Sequence, residues 1–308
     1  MTTLSSEIEQ YYFNNLSKLP KDKQFHFATR LAAWSQNTQA THLLTTQIDD
    51  IYPKDIYHTL TEIVSHPPQA KINALELRQP YFEKYPDLRG QMLALFRIRH
   101  LLSVYDIDIR DDMLHIVPLD ELQKLSNSLF NDENAVRILS TYAVNYIYLV
   151  QHILYPTKDA EDFIKNFTAA VYDMDKHYDL SQKEDIQLLI YLYTHCIIGH
   201  TNFYKESIKL TSFPVYAQMI ERLEQLIEEN FNRVNLDNKF EFLVCSRIIG
   251  RVSKLNEAIV NEASQSLSPE GMFVIDTINE YKQSNKTSFS DSEHRNVLFI
   301  MSQRPYHS

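Results

Sequence analysis

Only four glycines occur in 308 residues: Gly90, Gly199, Gly250 and Gly271. Hairpin turns and bulges draw on residues that accept positive φ, so a sheet protein of this length needs more of them. Helices joined by short polar loops do not. The chain therefore reads as all-α, and at this length it can bury a substantial core.

Apolar spacing agrees, most clearly in the C-terminal half. Val136 to Tyr155, Glu184 to Tyr204 and Phe240 to Lys254 are apolar nearly all round. Ala160 to His177, Val215 to Arg233 and Gly271 to Tyr281 carry one apolar stripe, and Glu293 to Met301 closes the series. A helix apolar on all sides belongs inside and one with a single stripe outside, so inner and outer helices are expected to alternate. Their starts recur at roughly 50-residue intervals, as in stacked helical hairpins. Ser181-x-x-Glu184 and Ser290-x-x-Glu293 read as capping boxes, and Ser268-Pro269 as an N-cap followed by proline.

In the N-terminal half, Ser6 to Leu19, Asp22 to Trp34, Leu88 to Tyr105 and Leu119 to Phe130 are the predicted helices. Pro53, Pro67, Pro68, Pro80 and Pro86 interrupt the stretch between them. Met113 to Leu119 is expected to be extended. No low-complexity linker appears, so residues 1–308 are expected to form one array. A division, if present, would separate 1–112 from 113–308.

This alternation resembles α/α-toroids and long-hairpin α-solenoids. The resemblance covers Val136 to the C-terminus and is one of architecture. The aspartate-rich motifs of terpene cyclases are missing, as is the Cys-His-Gly zinc motif of lanthipeptide cyclases, because Ile197 follows Cys196. The resemblance implies no chemistry.

A net charge of −10 argues against general nucleic-acid binding, which relies on a basic surface. The one basic stretch, Arg97, Arg99 and His100, reads as a solvated helix face. Cys196 and Cys245 lie in apolar segments and read as reduced, buried thiols. The opening residues lack the basic and apolar regions of a secretory signal. Ile186 to Gly199, the longest nearly apolar run, is shorter than the ~20 residues of a membrane span. These observations predict a cytoplasmic protein, with no membrane or nucleic-acid partner and no cofactor.

Polar residues on the inner helices are the most suggestive chemical feature. Thr141, Asn145, Tyr148 and His152 share one helix face, as do Tyr191 and His195. Arg247, Arg251 and Lys254 continue a third line, and His294 opens the last helix beside Arg295 and Asn296. Buried polar groups must be hydrogen-bonded or wet. Either these groups satisfy one another and the loops, or they line a shared cavity. In the second case Asn145, Tyr148, His152, Tyr191, His195, Arg247, His294 and Asn296 are the candidate ligand-binding residues. His195 or His294 would exchange protons, Tyr148 or Tyr191 would hydrogen-bond, and Arg247 or Arg251 would anchor an anion. Arg247 and Arg251 must reach water, carboxylates or an anion, and Glu241 and Glu293 are the carboxylates considered for them.

Cys196 and His200 stand four apart, but two ligands are not a metal site, so no metal is assigned. Asp173 to Glu184 carries carboxylates at calcium-loop positions 1, 3 and 12, with Tyr178 where glycine belongs and His177 at an oxygen position. It reads as an acidic interhelical loop, and Asp106, Asp108, Asp111 and Asp112 read as a second one. No complete catalytic motif is present. The leading expectation is a non-catalytic interaction or scaffold protein with a peptide or protein partner. The alternative is a binder of a small polar or anionic ligand, or an enzyme, using the cavity.

Overall fold

The computed structural model describes residues 3–46, 55–67, 76–154, 158–275 and 288–306. In chain order the helices are α1 (Leu4–Asn14), α2 (Lys21–Ser35), α3 (Thr38–Thr46), α4 (Ile56–Ser65), α5 (Gln79–Lys84) and α6 (Leu88–Tyr105). Next come α7 (Arg110–Ile116), α8 (Leu119–Phe130), α9 (Glu133–Leu139), α10 (Thr141–Leu154) and α11 (Lys158–Asp173). Last are α12 (Lys183–His200), α13 (Val215–Glu229), α14 (Leu236–Ile248), α15 (Asn256–Gln265) and α16 (Glu293–Ser302). Among the described residues the protein is all-helical, with a lone antiparallel bridge between Leu267 and Val274.

The chain divides into two compact units. The first comprises Met1–Thr46, Leu180–Ile190 and Tyr204–Ser308, and the second Gln47–Asp179 and Tyr191–Phe203. In the first, α16 packs against α1, α2 and α14, and α14 also meets α13 and α15. α14 is buried nearly all round, whereas α13 buries the stripe Tyr216, Met219, Ile220, Leu223, Leu226 and Ile227. Each such side chain is worth roughly 1.5–3 kcal/mol on burial, so the stripe holds α13 more than helix propensity does.

In the second unit α10 is the central helix, against α6, α8, α9 and α11. α4 lies close on α6: a Cβ at Gly90 would stand 2.3 Å from the Val64 carbonyl oxygen. Gly199 permits a second close approach, where a Cβ would stand 2.4 Å from the Tyr148 ring. The lack of a side chain lets the neighbouring groups meet the backbone there.

Several expectations need correction. The expected helix from Val136 is two helices as far as Leu154, because Ser140 takes φ +39° between α9 and α10, and Tyr155 lies outside the described residues. The helix from Glu184 ends at His200, and Asn202, Phe203 and Tyr204 all have positive φ. Of Met113 to Leu119 only Val117 and Pro118 are extended, since α7 runs to Ile116 with Asp111 and Asp112 in its first turn, where the helix dipole favours them. Arg99 is no solvated side chain. It is buried, and its guanidinium bonds the carbonyls of Asn202 (2.6 Å) and Phe203 (2.9 Å), steadying that left-handed turn.

Ser268-Pro269 opens a turn rather than a helix. Gly271 N–H bonds the Ser268 carbonyl at 2.7 Å, and Ser268 N–H bonds Phe273 O. Proline suits the second position of a turn as well as the first turn of a helix, so the pair was ambiguous. Residues 276–281 of the expected helix lie outside the described residues. α12 begins at Lys183 and α16 at Glu293, inside the expected capping boxes but past the first helical position that a cap at Ser181 or Ser290 predicts. The acidic stretch after Asp173 begins as a 3-10 turn, Met174–His177, continuing α11.

Candidate functional site

Of the candidate ligand-binding residues, Asn145, Tyr148, His152, Tyr191 and His195 fall in the second unit. Arg247, His294 and Asn296 fall in the first. In the second unit their helices present them to one another. His195 Nδ1 meets Asn145 Oδ1 at 2.9 Å, and the His195 ring stands edge-on to Tyr191. His152 Nε2 donates to the Gly199 carbonyl at 2.9 Å, and its ring stacks on Tyr148. The Tyr148 hydroxyl meets Thr168 Oγ1 at 3.2 Å.

Cys196 and His200 lie in the same region. Burial pushes the Cys196 thiol well up, although Tyr148 hydrogen-bonds it. Burial, with His152 beside it, pulls His200 down to about 4. Both cysteines of the chain are buried and neither is in a disulfide. Among the described residues no three His, Cys, Asp or Glu side chains are grouped as a metal ion would need.

The sequence did not single out Arg78, which belongs to this region. It is 9% exposed, with Nε donating to Ile138 O (3.0 Å) and Nη2 to Ser140 Oγ (3.2 Å). Its guanidinium lies 5.6 Å from the Tyr142 ring centre, and Tyr142, Tyr191 and Tyr178 are near enough to act on its charge. Burial lowers its pKa, yet an arginine stays protonated in any protein. Tyr142 was detectable, since it precedes Asn145 by three residues on the same helical face. Arg78 was not: its bonding partners lie 60 and 62 residues away.

In the first unit the candidates are bonded to the fold. Asn296, fully buried, accepts from Val274 N–H (2.8 Å) and donates to Val274 O (2.9 Å) and Ser292 O (2.8 Å). It clamps the lone β-bridge onto α16. Arg247 Nε donates to Ser302 O at 3.1 Å, satisfying a carbonyl at the C-terminus of α16. Arg251 pairs with Glu221 at 2.7 Å and Lys254 with Glu228 at 2.7 Å. The carboxylates considered for Arg247 and Arg251 serve others. Glu293 pairs with His26 at 2.8 Å, and Glu241 lies 4.0 Å from His294.

His294 also approaches Asp237 at 3.4 Å, and Asp237 holds buried Arg295 at 2.8 Å. Burial pushes the Asp237 carboxyl up, but Arg295 and His294 hold it well below the usual range. Burial, then Arg30, pulls His26 down to about 4 against the opposing effect of Glu293. An open cleft of about 300 Å³ in this unit is lined by Ile220, Glu221, Glu224, Ser246, Arg251, Val252, Ser253 and Lys254.

No protein-family model, curated protein or solved structure matches this chain. Its class is defined by the architecture alone, an all-helical protein. No described helix is long and apolar enough to cross a membrane.

Proposed function

We propose that the protein is a non-catalytic helical interaction protein that holds a peptide or protein partner. The observation behind this reading is where the inner-helix polar groups bond. His152 bonds Gly199 O, Tyr148 bonds Thr168, Arg247 bonds Ser302 O and Asn296 bonds Val274. Such bonds give these groups a structural reason to exist. The reading takes each unit as helical hairpins of an α/α-toroid or α-solenoid kind. Packing between consecutive helices supports it, α13 on α14 in the first unit and α9 on α10 in the second. Two buried cysteines outside any disulfide support a cytoplasmic setting.

The cleft beside α13 is the docking surface of this reading. Val252 is 67% exposed on its wall, between the ion-paired Arg251 and Lys254. An apolar side chain amid both signs of charge suits a polypeptide, which offers the same mixture. The test is native mass spectrometry of the full chain purified gently from its own cells, beside Val252→Asp. The expected result is a stoichiometric polypeptide on the wild type that is lost from the variant. A chain running alone, or carrying only a stoichiometric small molecule, would overturn the reading.

A further inference from the structure

Arg78 is nine-tenths buried, yet the fold satisfies only part of it. A guanidinium carries five N–H donors. One goes to Ile138 O and one to Ser140 Oγ, both neutral acceptors. The remaining three have no protein partner among the described residues, where tyrosines are the groups near enough to act on this charge, and none of its nitrogens is a sealed, unpartnered group. Capping the Ile138 carbonyl at the end of α9 would need a single donor, which a neutral glutamine could supply. A buried cation without a counter-charge is expensive, and a fork of parallel N–H groups fits the two oxygens of a carboxylate or phosphate.

The surroundings suit such a group. Tyr142, Tyr178 and Tyr191 stand about the guanidinium, and His195 is edge-on to Tyr191. Aromatic faces favour the cation, while phenol hydroxyls hydrogen-bond oxyanions. Arg78 and Ser140 are joined by a hydrogen bond exactly where the backbone departs from helix, at φ +39°. The turn and the arginine are thus built together, and the remaining fork is held rigidly.

We propose that Arg78 anchors an oxyanion, the carboxylate or phosphate group of a ligand, beside Tyr142 and Tyr191 in the second unit. This goes beyond the partner-binding reading and does not rest on it.

The test titrates the purified full chain with inorganic phosphate, acetate and chloride at constant ionic strength, following thermal unfolding. A saturable rise in Tm is expected with phosphate or acetate and not with chloride. The more effective of the two identifies the group. Arg78→Gln should weaken the response at least tenfold, and Tyr191→Phe should weaken it several-fold. Should Arg78→Gln fail to fold, Arg78→Lys keeps the charge without the fork, and the same tenfold weakening is expected. No saturable response in the wild type, or an unchanged response in the folded Arg78 variant, would overturn the proposal.

Discussion

In the first unit Arg295 lies 2.8 Å from Asp237, and buried Lys239 pairs with Glu262. In the second, Arg78, 9% exposed against 1% for Arg295, meets a carbonyl, a hydroxyl and an aromatic ring. Among the described residues, ion pairs of the second unit such as Lys84 with Asp132, Arg110 with Asp108 and Lys165 with Glu161 lie nearer water. The two units therefore bury charge under different rules. A matched pair carries its own counter-charge, and removing one member strands the other. An unmatched cation is a standing cost that a ligand can relieve.

The comparison would break first at Arg295. Arg295→Met leaves the Asp237 carboxylate without its main partner, and a loss of about 3–5 kcal/mol is expected in urea unfolding. Replacing Asp237 by leucine in the same chain should restore much of it, because the effect belongs to the pair. If the double variant is no better than the single, the pair is not what matters there.

Gly199→Ala sharpens the view of the second unit, where close packing shapes the polar region. The new methyl would press on Tyr148, at 2.4 Å, and a cost of about 1–3 kcal/mol is expected. A neutral result by thermal unfolding would mean that α10 and α12 can part without penalty.

Arg78→Met should cost less than Arg295→Met. It deletes two neutral hydrogen bonds and also removes a buried charge, for a net loss of about 1 kcal/mol. A loss equal to that of Arg295→Met, measured in the same urea series, would erase the contrast between the units.

The smallest expected effect is on pH dependence. His26 is held at about 4 in the folded protein, against about 6.5 when unfolded. Between these values the unfolded chain binds more protons, so acidification through this window lowers stability. Depression of the Asp237 carboxyl acts in the same direction at lower pH: its stabilisation is present above the unfolded value and lost as pH falls. With the His26 side chain 30% exposed, solvent screening leaves on the order of 1 kcal/mol. His26→Gln should flatten the stability profile between pH 6.5 and 4. An unaltered slope would place the titration elsewhere, with His200, also near 4, the next group to replace.

Some elements were legible to the residue. Leu88–Tyr105 and Leu119–Phe130 stand where apolar spacing put them, because each pattern is written in consecutive turns. The same face logic grouped Asn145 with Tyr148 and His152, and Tyr191 with His195. It could not pair Asn145 with His195 across 50 residues, nor find Arg78. A second arginine, Arg99, was misread for the same reason: its carbonyl partners are more than 100 residues on.

The sequence by itself determined that this chain is helical and which faces of its long helices are apolar, because both follow from spacing within a few turns. Only the tertiary structure decided where helices break and which polar groups meet. The turn at Ser140 exists with Arg78 bonded to it, and the left-handed turn at Asn202 and Phe203 with Arg99 across it. Each is an unfavourable local conformation held by a hydrogen bond from a distant part of the chain. A local pattern carries no record of that bond.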